Sequence, residues 1–378
     1  MQAHILDHLP DRLLQHPAHA LNRYLPGPTL IHLPGRKPQP LFVSVLQHGN
    51  EISGWDAVRR LLLGRYQRDP LPRSMALFIG NVAAAAEGKR HLPEQADMNR
   101  CWPGATNGHQ HGDGQWHRLL DEITGHVRAL KPFASIDIHN NTGENPHYAA
   151  VNFIEPQALN LASRFSRTVV YFTEPKGVQS AAFGAFCPSV TLECGPPGQR
   201  GGTDHAMTFL ESALTGENLT EQWPRPEDLD LFQVTTVVRV PEHTTFSFGG
   251  AGSELVFEPH LDRLNFTELP PGTRLARVNH SGAALQAIDT RGRECTADWF
   301  QVEGDALVTR RPAMPAMLTT EPDAVRQDCL CYLMERIRIQ HPVPDISDHP
   351  DLPEPSSRIP GTETASHYNE RTGKRECS

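Results

Sequence analysis

The sequence has little of what several large protein classes require. No apolar run approaches the roughly 18 residues that a membrane-spanning helix needs, so no membrane helix is expected. The first residues carry acids and histidines where a signal peptide has an unbroken apolar stretch, which makes the cytoplasm the expected location. The formal net charge of −9 argues against a nucleic-acid-binding protein.

Other motifs are missing as well. The seven cysteines are odd in number and no two of them form a CxxC pair, which argues against a disulfide scaffold and against a cysteine-type zinc finger. The sequence contains neither a GxxxxGK[ST] phosphate loop nor a GxSxG nucleophile elbow. Nucleotide binding and ordinary α/β-hydrolase chemistry are therefore not expected.

Proline and histidine are abundant instead, with 33 and 20 residues among 378. Proline at this level predicts many loops, because it restricts the backbone and cannot donate a backbone hydrogen bond. Histidine raises the question of a bound metal, although most histidines in any chain are not ligands. The place of each histidine in the predicted fold therefore matters more than the count.

The central part of the chain, residues 39–220, alternates between apolar strand-like runs and amphipathic helical patterns. Strands are predicted at 41–47, 75–81, 133–140, 149–154, 168–172 and 189–194, and helices at 52–66, 115–130, 156–167 and 204–214. This alternation predicts an α/β domain with a mostly parallel or mixed sheet flanked by helices.

The flanking segments have different patterns. Residues 1–38 are polar and dotted with proline, and we expect an N-terminal extension with a short helix at 5–14. Residues 230–340 carry short strand-like runs between turn residues, which predict a smaller β-rich domain closed by a helix at 323–339. Residues 341–378, with six prolines and few apolar residues, are predicted to be a disordered tail.

Three predicted strands end in the side chains that a hydrolytic zinc site needs. His48 and Glu51 follow the first strand, His139 lies at the end of another, and Glu193 lies at the end of the last. In an open α/β sheet, ligands bind outside the carboxyl ends of the strands, so these side chains should converge.

Two imidazoles and a carboxylate are ligands that zinc accepts, and a catalytic zinc keeps a fourth position for water. We therefore predict that His48, Glu51 and His139 bind one Zn²⁺ ion. The ion would polarise the scissile carbonyl and lower the pKa of the water. Glu193 would take the proton of that water and pass it to the leaving amine.

The H-x-x-E spacing is a weak signal on its own. An exposed loop histidine next to a glutamate at a helix start gives the same pattern, and His91 and Glu94 repeat it where no strand precedes. The strand-end positions of His139 and Glu193 favour the metal site at His48 and Glu51.

The long polar loop at 81–104 supplies candidate substrate-binding residues. Arg90, Asn99 and Arg100 could place two guanidinium groups and an amide near an anionic substrate, since arginine matches a carboxylate with two donors. The alternative is that Arg100 pairs with Asp97 on the surface.

The chain contains four motifs in a fixed order: HGNE, DMNR with the nearby WPG, DIHN and TLECG. With these motifs the sequence resembles the succinylglutamate desuccinylase/aspartoacylase branch of the zinc carboxypeptidases, over residues 40–215 and more loosely over 230–340. The resemblance implies a carboxypeptidase-like mixed sheet flanked by helices, with a C-terminal β-rich domain that narrows the entrance. It also implies that Arg90 polarises the carbonyl and stabilises the oxyanion, while Asn99 and Arg100 hold a substrate carboxylate.

The expected function is a zinc-dependent hydrolase that removes the acyl group from a small N-acyl amino acid. A metallocarboxypeptidase that acts on short peptides, and a catalytically inactive protein with a structural zinc, are the alternatives. The aspartoacylases carry an Arg shortly before the strand of the catalytic Glu, whereas only Lys176 occurs between Arg167 and Glu193 here. A substrate other than N-acetylaspartate is therefore expected, and an oligomer of identical chains is compatible with the sequence.

Several further side chains lie close to the predicted site. The segment 108–117 is rich in histidine and is either a second metal site or a solvated loop. Asp137 lies on the same strand face as His139 and could orient it or make a purely structural contact. His147 and Tyr148 could touch the substrate.

Overall fold

The computed structural model describes residues 3–105, 113–250, 252–280 and 284–339. Its strands, in chain order, are β1 (His4–Leu6), β2 (Thr29–Leu33), β3 (Gly35–Val45), β4 (Leu71–Ile79), β5 (Ala134–His139), β6 (Tyr148–Val151), β7 (Thr168–Tyr171), β8 (Ser189–Glu193), β9 (Asp230–Arg239), β10 (Phe246–Phe248), β11 (Leu255–Phe257), β12 (Arg274–Val278), β13 (Gln286–Asp289), β14 (Phe300–Glu303), β15 (Ala306–Thr309), β16 (Met314–Ala316) and β17 (Cys331–Ile337).

The α-helices of the described residues are α1 (Ser53–Gly64), α2 (Val82–Glu87), α3 (Asp113–Ala129), α4 (Pro156–Phe165), α5 (Gln179–Gly184), α6 (Arg200–Thr215), α7 (Thr296–Trp299) and α8 (Pro322–Gln327). Short 3-10 helices lie at Leu13–Gln15, Ala18–Arg23, Met98–Arg100 and Leu261–Leu264. None of the helices in the described ranges is both long and apolar enough to cross a membrane. The cytoplasmic location stays a prediction.

A twelve-stranded mixed sheet forms the centre of the fold. Its order is β1-β2-β4-β3-β5-β8-β6-β7-β9-β17-β16, and β13 pairs with β9. Strands β4, β3, β5 and β8 run parallel to one another, whereas β2 is antiparallel to β4 and β6 is antiparallel to β8. A second sheet of five strands has the order β10-β11-β12-β15-β14. The predicted mixed sheet flanked by helices, with a smaller β-rich C-terminal region, is confirmed.

Both faces of the central strands are buried. On β3, Val43 packs into a cluster with Trp55 of α1 and Phe209 of α6, whereas Phe42 packs into a different cluster with Leu119 of α3. Successive side chains of a strand point to opposite faces, so a strand covered by helices on both sides is apolar at nearly every position. This explains the continuous apolar run of β3.

The N-terminal 38 residues are part of the fold, contrary to the predicted extension. No α-helix forms at 5–14, where a short 3-10 helix only begins at Leu13; β1 pairs in parallel with β2, and β2 pairs antiparallel with β4. β2 is only five residues long and lies between two prolines, so its sequence pattern did not indicate a strand. Leu30 and Ile31 of this strand are fully buried.

The C-terminal segment also enters the main sheet. β9 pairs in parallel with β7, and β17 pairs antiparallel with β9. The predicted helix at 323–339 is wrong: α8 ends at Gln327, and β17 follows. Residues of β17 alternate between two apolar clusters on opposite faces of the sheet, and this burial on both sides gives an apolar run that resembles a helix pattern. The predicted tail at 341–378 lies outside the described residues.

Replacing Leu30 with alanine tests the place of β2 in the core. Because Leu30 is fully buried between β4 and the α3 side of the sheet, Leu30→Ala should lower the free energy of unfolding by about 2–5 kcal/mol. Denaturant unfolding measures the change. Leu130→Ala is the matched control, because Leu130 is 38% exposed and its loss should cost little. Equal effects of the two substitutions would contradict the position of β2.

Candidate active site

The three predicted strand ends meet at one edge of the sheet. β3, β5 and β8 are parallel neighbours, so their carboxyl ends lie side by side. His139 and Glu193 are the last residues of β5 and β8 and are direct partners in register. His48 and Glu51 lie in the short connection between β3 and α1. The topology therefore brings together side chains that are up to 145 residues apart, since 193 − 48 = 145.

The Glu51 carboxylate lies between two imidazoles. Its Oε1 is 2.8 Å from His48 Nδ1 and its Oε2 is 2.6 Å from His139 Nδ1. All three side chains are buried, and one ligand atom from each lies within 4.8 Å of the others. Among the described residues, this group of two nitrogens and a carboxylate could hold a metal ion.

Two further carboxylates lie behind the imidazoles. His48 Nε2 is 3.0 Å from Asp97 Oδ1, and His139 Nε2 is 2.8 Å from Asp137 Oδ2. These acceptors favour a proton on each Nε2. In a neutral imidazole the other ring nitrogen, Nδ1, then has a free lone pair, and both Nδ1 atoms face the Glu51 carboxylate. The donor set therefore suits a metal ion.

Asp137 is itself held in place. Its Oδ1 accepts hydrogen bonds from Ser44 Oγ at 2.6 Å and from Gln47 Nε2 at 2.7 Å. The carboxylate thus orients the His139 ring, as one of the two sequence interpretations expected. Trp102 Nε1 donates to Gln47 Oε1 at 2.6 Å, which links this arrangement to the buried aromatic residues under the site.

Glu193 is buried beside this group. Burial raises the pKa of Glu193 to about 8; nearby His139 opposes the shift, whereas Glu51 adds to it. Asn141 Nδ2 donates to Glu193 Oε2 at 3.4 Å. Strongly shifted carboxyl groups in a cleft are candidates for acid–base chemistry.

Arg90 and Arg100 each lie beside a carboxylate of the chain. Arg90 Nη2 is 2.8 Å from Asp97 Oδ2, and Arg90 Nη1 is 3.7 Å from Glu51 Oε1. Arg100 Nη2 donates to Asp328 Oδ2 at 3.1 Å, and the same oxygen is 3.8 Å from Arg90 Nη2. Burial alone would raise the pKa of Asp328, but Arg100 and Arg90 outweigh it and hold that pKa below its ordinary value.

The structure thus gives Arg100 a partner that the sequence did not indicate. The alternative of a surface pair between Arg100 and Asp97 is wrong: Asp97 pairs with Arg90, and Arg100 pairs with Asp328. Asp97 directly precedes the Met98-Asn99-Arg100 segment and could have been noticed as an acid within the motif. No local signal indicates Asp328, which is 228 residues away from Arg100.

Asn99 and Lys176 have contacts of their own. The Asn99 amide nitrogen lies 3.2 Å from His139 Nε2, and its Oδ1 accepts the Gln179 backbone amide at 3.1 Å. Lys176 is exposed; its Nζ donates to Thr173 O at 2.8 Å and lies 3.6 Å from Glu174 Oε1. The contacts of the Lys176 side chain are therefore with residues of its own loop.

A cavity of about 810 Å³ lies at this edge of the sheet. One wall comes from the strand ends and contains His48, Glu51, His139 and Glu193, together with Asn99 and both arginines. The opposite wall comes from the segment 317–332 of the C-terminal part. A volume of this size fits a small molecule.

The remaining candidates from the sequence differ in where they lie. His109 and His111 fall outside the described residues. His147 stacks on His205 with ring centroids 5.0 Å apart, and Tyr148 is fully buried with its ring 5.2 Å from that of Phe266. Asn141 lines the cavity.

Comparison with known proteins agrees with this architecture. A model of the succinylglutamate desuccinylase/aspartoacylase catalytic domain matches residues 39–212. No curated protein sequence matches the chain.

Solved structures share the fold at low identity. The succinylglutamate desuccinylase from Vibrio cholerae has a TM-score of 0.54 and 12% identity, covering 82% of this chain and 87% of that one. The one from Vibrio parahaemolyticus has a TM-score of 0.53 and 12% identity, with 82% and 85% covered. A succinylglutamate desuccinylase/aspartoacylase from Rhodobacter sphaeroides has a TM-score of 0.51 and 13% identity, with 81% and 88% covered. At these identities the likeness shows the fold.

Replacing His139 with alanine tests the metal site. His139→Ala should reduce the bound metal from roughly one ion per chain to a small fraction, because a site with three protein ligands loses one of them. Elemental analysis after dialysis measures the metal content. His126→Ala is the control, since His126 contacts His32 on the far side of the fold, with the two Nε2 atoms 2.9 Å apart. Equal metal content in the two variants would rule out this site.

Proposed function

Because residues 39–212 belong to the succinylglutamate desuccinylase/aspartoacylase family, we propose that the protein is a zinc-dependent hydrolase that cleaves the amide bond of a small N-acyl amino acid. The observation that carries the proposal is the convergence of His48, Glu51 and His139 beside buried Glu193 at the wall of one cavity.

His48 and His139 would bind zinc through Nδ1, and Glu51 through its carboxylate. Zinc accepts imidazole nitrogen and carboxylate oxygen, and catalytic zinc sites use three protein ligands. Asp97 and Asp137, which accept from the two Nε2 atoms, support this donor set. When bound, the ion would polarise the scissile carbonyl and acidify a water molecule.

Glu193 is the proposed proton carrier. Its carboxylate would accept a proton from the attacking water and hand it to the nitrogen of the leaving amino acid, so that the amide C–N bond breaks with a neutral amine as the product. The positive charge of a neighbouring dication would favour the carboxylate form of Glu193 over the protonated form that burial favours. Asn141, which donates to Oε2, fixes the orientation of the group.

The arginines take the charged parts of the substrate in this proposal. Arg90 lies closest to the metal ligands, with Nη1 3.7 Å from Glu51, and its charge would stabilise the oxyanion that develops on the acyl carbon. Asn99 and Arg100 would hold the carboxylate of the amino acid. Asp97 keeps Arg90 in place through bonds to both Nε and Nη2.

The shape of the cavity favours a small substrate over a peptide. Its volume of about 810 Å³ lies within the range of small-molecule sites. Met317, Thr319 and Tyr332 of the C-terminal part line it opposite the strand ends, where an extended peptide would need an open path.

A hydrolysis screen tests the proposal. N-acetyl, N-formyl and N-succinyl amino acids are offered beside dipeptides and tripeptides, with added zinc and with a chelator. We expect chelator-sensitive release of free amino acid from one group of N-acyl amino acids and little cleavage of peptides. Faster cleavage of peptides would favour the metallocarboxypeptidase alternative.

Glu193→Gln tests the proposed proton carrier. The amide is similar in size but cannot accept the proton, so kcat should fall by about 10²–10⁴-fold while the metal content stays unchanged. Glu217→Gln, at a side chain that is 88% exposed, is the control for the loss of a carboxylate. Unchanged hydrolysis in Glu193→Gln with metal bound would refute the mechanism.

A further inference from the structure

The cations that line the cavity are already paired with carboxylates of the chain. Of the described residues, Lys89, Arg90 and Arg100 are the lysine and arginine side chains at its wall. Lys89 Nζ is 2.6 Å from Glu87 Oε2, Arg90 is 2.8 Å from Asp97, and Arg100 is 3.1 Å from Asp328. Substrate anions would therefore meet arginines whose charge is already balanced.

Asp328 is the carboxylate that matters most, because it faces both arginines from across the cavity. Its Oδ2 is 3.1 Å from Arg100 and 3.8 Å from Arg90, and its Oδ1 takes part in neither contact. The residue lies in the connection between α8 and β17, where the backbone leaves the helical conformation at φ −135° and ψ −84°. Its side chain is 23% exposed, so it is partly shielded and still reachable from the cavity.

The same wall carries more negative charge. Glu321 and Asp323 line the cavity from the segment that also supplies Asp328. These three carboxylates alone equal the number of lysine and arginine side chains at the cavity wall. Two of those cations, Arg90 and Lys89, are moreover already paired with two other carboxylates, Asp97 and Glu87. Arg239, whose Nε donates to Asp328 O at 3.1 Å, adds one positive charge beside this wall. The five carboxylates Asp328, Glu321, Asp323, Asp97 and Glu87 still outnumber the four cations when the metal site is left out of the count.

This charge pattern does not suit a second carboxylate on the substrate. A carboxylate that reached Arg100 Nη2 would approach Asp328 Oδ2, which is already 3.1 Å from that nitrogen, and two like charges at contact disfavour binding. One carboxylate can still be held by the remaining donors of Arg100, because a guanidinium offers five N–H groups. A positively charged group on the substrate would find an acceptor in Asp328.

Resting on the proposed deacylase function, we infer that the amino acid released at this site carries a positively charged side chain, and that Asp328 selects it. The side-chain ammonium or guanidinium group donates to the Asp328 carboxylate, and Glu321 and Asp323 strengthen the field that attracts it. The amino acid carboxylate lies on Arg100, so substrate and site balance each other in charge. N-acyl derivatives of diamino acids are therefore the substrate class.

The test compares three substrates of similar length with different side-chain charge: Nα-acetylornithine, Nα-acetylnorvaline and Nα-acetylglutamate. The full-length zinc-loaded protein should have its highest kcat/KM for Nα-acetylornithine. In Asp328→Asn, kcat/KM for Nα-acetylornithine should fall by about 30-fold or more, the loss usual for one partner of a shielded charge pair. Relative to the value for Nα-acetylnorvaline, which carries no side-chain charge, the value for Nα-acetylornithine should fall and the value for Nα-acetylglutamate should rise.

Asp305→Asn is the matched control, because it removes the same charge from an exposed turn between β14 and β15. It should leave both the activity and the order of the three substrates unchanged. Calorimetry on the Glu193→Gln variant, with Nα-acetylornithine and Nα-acetylglutamate as ligands, measures the same preference as binding alone. Because the result is a ratio among substrates, a variant that merely folds poorly would lower all three rates alike and leave the ratio as it was.

The outcomes separate this inference from the function on which it rests. A preference for Nα-acetylglutamate or Nα-acetylnorvaline in the unaltered protein overturns the assignment to Asp328 and leaves the deacylase function standing. An equal change for all three substrates in Asp328→Asn also overturns it, because Asp328 would then act only as a structural partner or a competitor for Arg100. Failure to hydrolyse any N-acyl amino acid in the wider screen overturns the proposed function itself.

Discussion

The Glu51 carboxylate is the constraint on which the site depends. Its two oxygens face the Nδ1 atoms of His48 and His139, and the backbone amide of Asn140 donates to it at 3.0 Å. A buried carboxylate is costly unless its acceptor positions are used. Burial here would raise the pKa of Glu51, but the two histidines hold it well below its ordinary value. Glu51 therefore stays an anion that holds two imidazoles from separate segments at one point.

The sheet supplies the rigidity that this arrangement needs. Because β3, β5 and β8 are parallel neighbours, one hydrogen-bonded ladder fixes where their last residues lie. The loop that carries His48 and Glu51 is positioned by close packing: a Cβ on Gly49 would lie 2.2 Å from the Ala85 backbone nitrogen. Only glycine fits that approach. The Gly49 amide also donates to Arg90 O at 3.0 Å, so the same loop helps to place Arg90.

The sequence predicted what depends on local pattern. His48, Glu51, His139 and Glu193 lie at or just after the ends of short apolar runs that favour buried strands, so their meeting at one sheet edge was foreseeable. Side-chain pairs between distant segments could not be predicted from the sequence, and the main example is the pair of Arg100 with Asp328. β17 was mistaken for a helix because Cys331 and Leu333 enter one apolar cluster while Tyr332 and Met334 enter another, and burial on both faces removes the alternation that marks a strand.

In the proposed enzyme, chemistry and substrate choice come from different parts of the chain. His139 and Glu193 lie on strand ends, whose positions the sheet ladder fixes, and His48 and Glu51 lie in the short loop that follows β3. Asp328 lies in the connection between α8 and β17, outside that ladder. Yet the Arg100–Asp328 pair also joins the C-terminal wall of the cavity to the strand-end wall. The residue that would set the charge of the substrate therefore also helps to close the site, so the preference and the shape of the cavity are physically coupled.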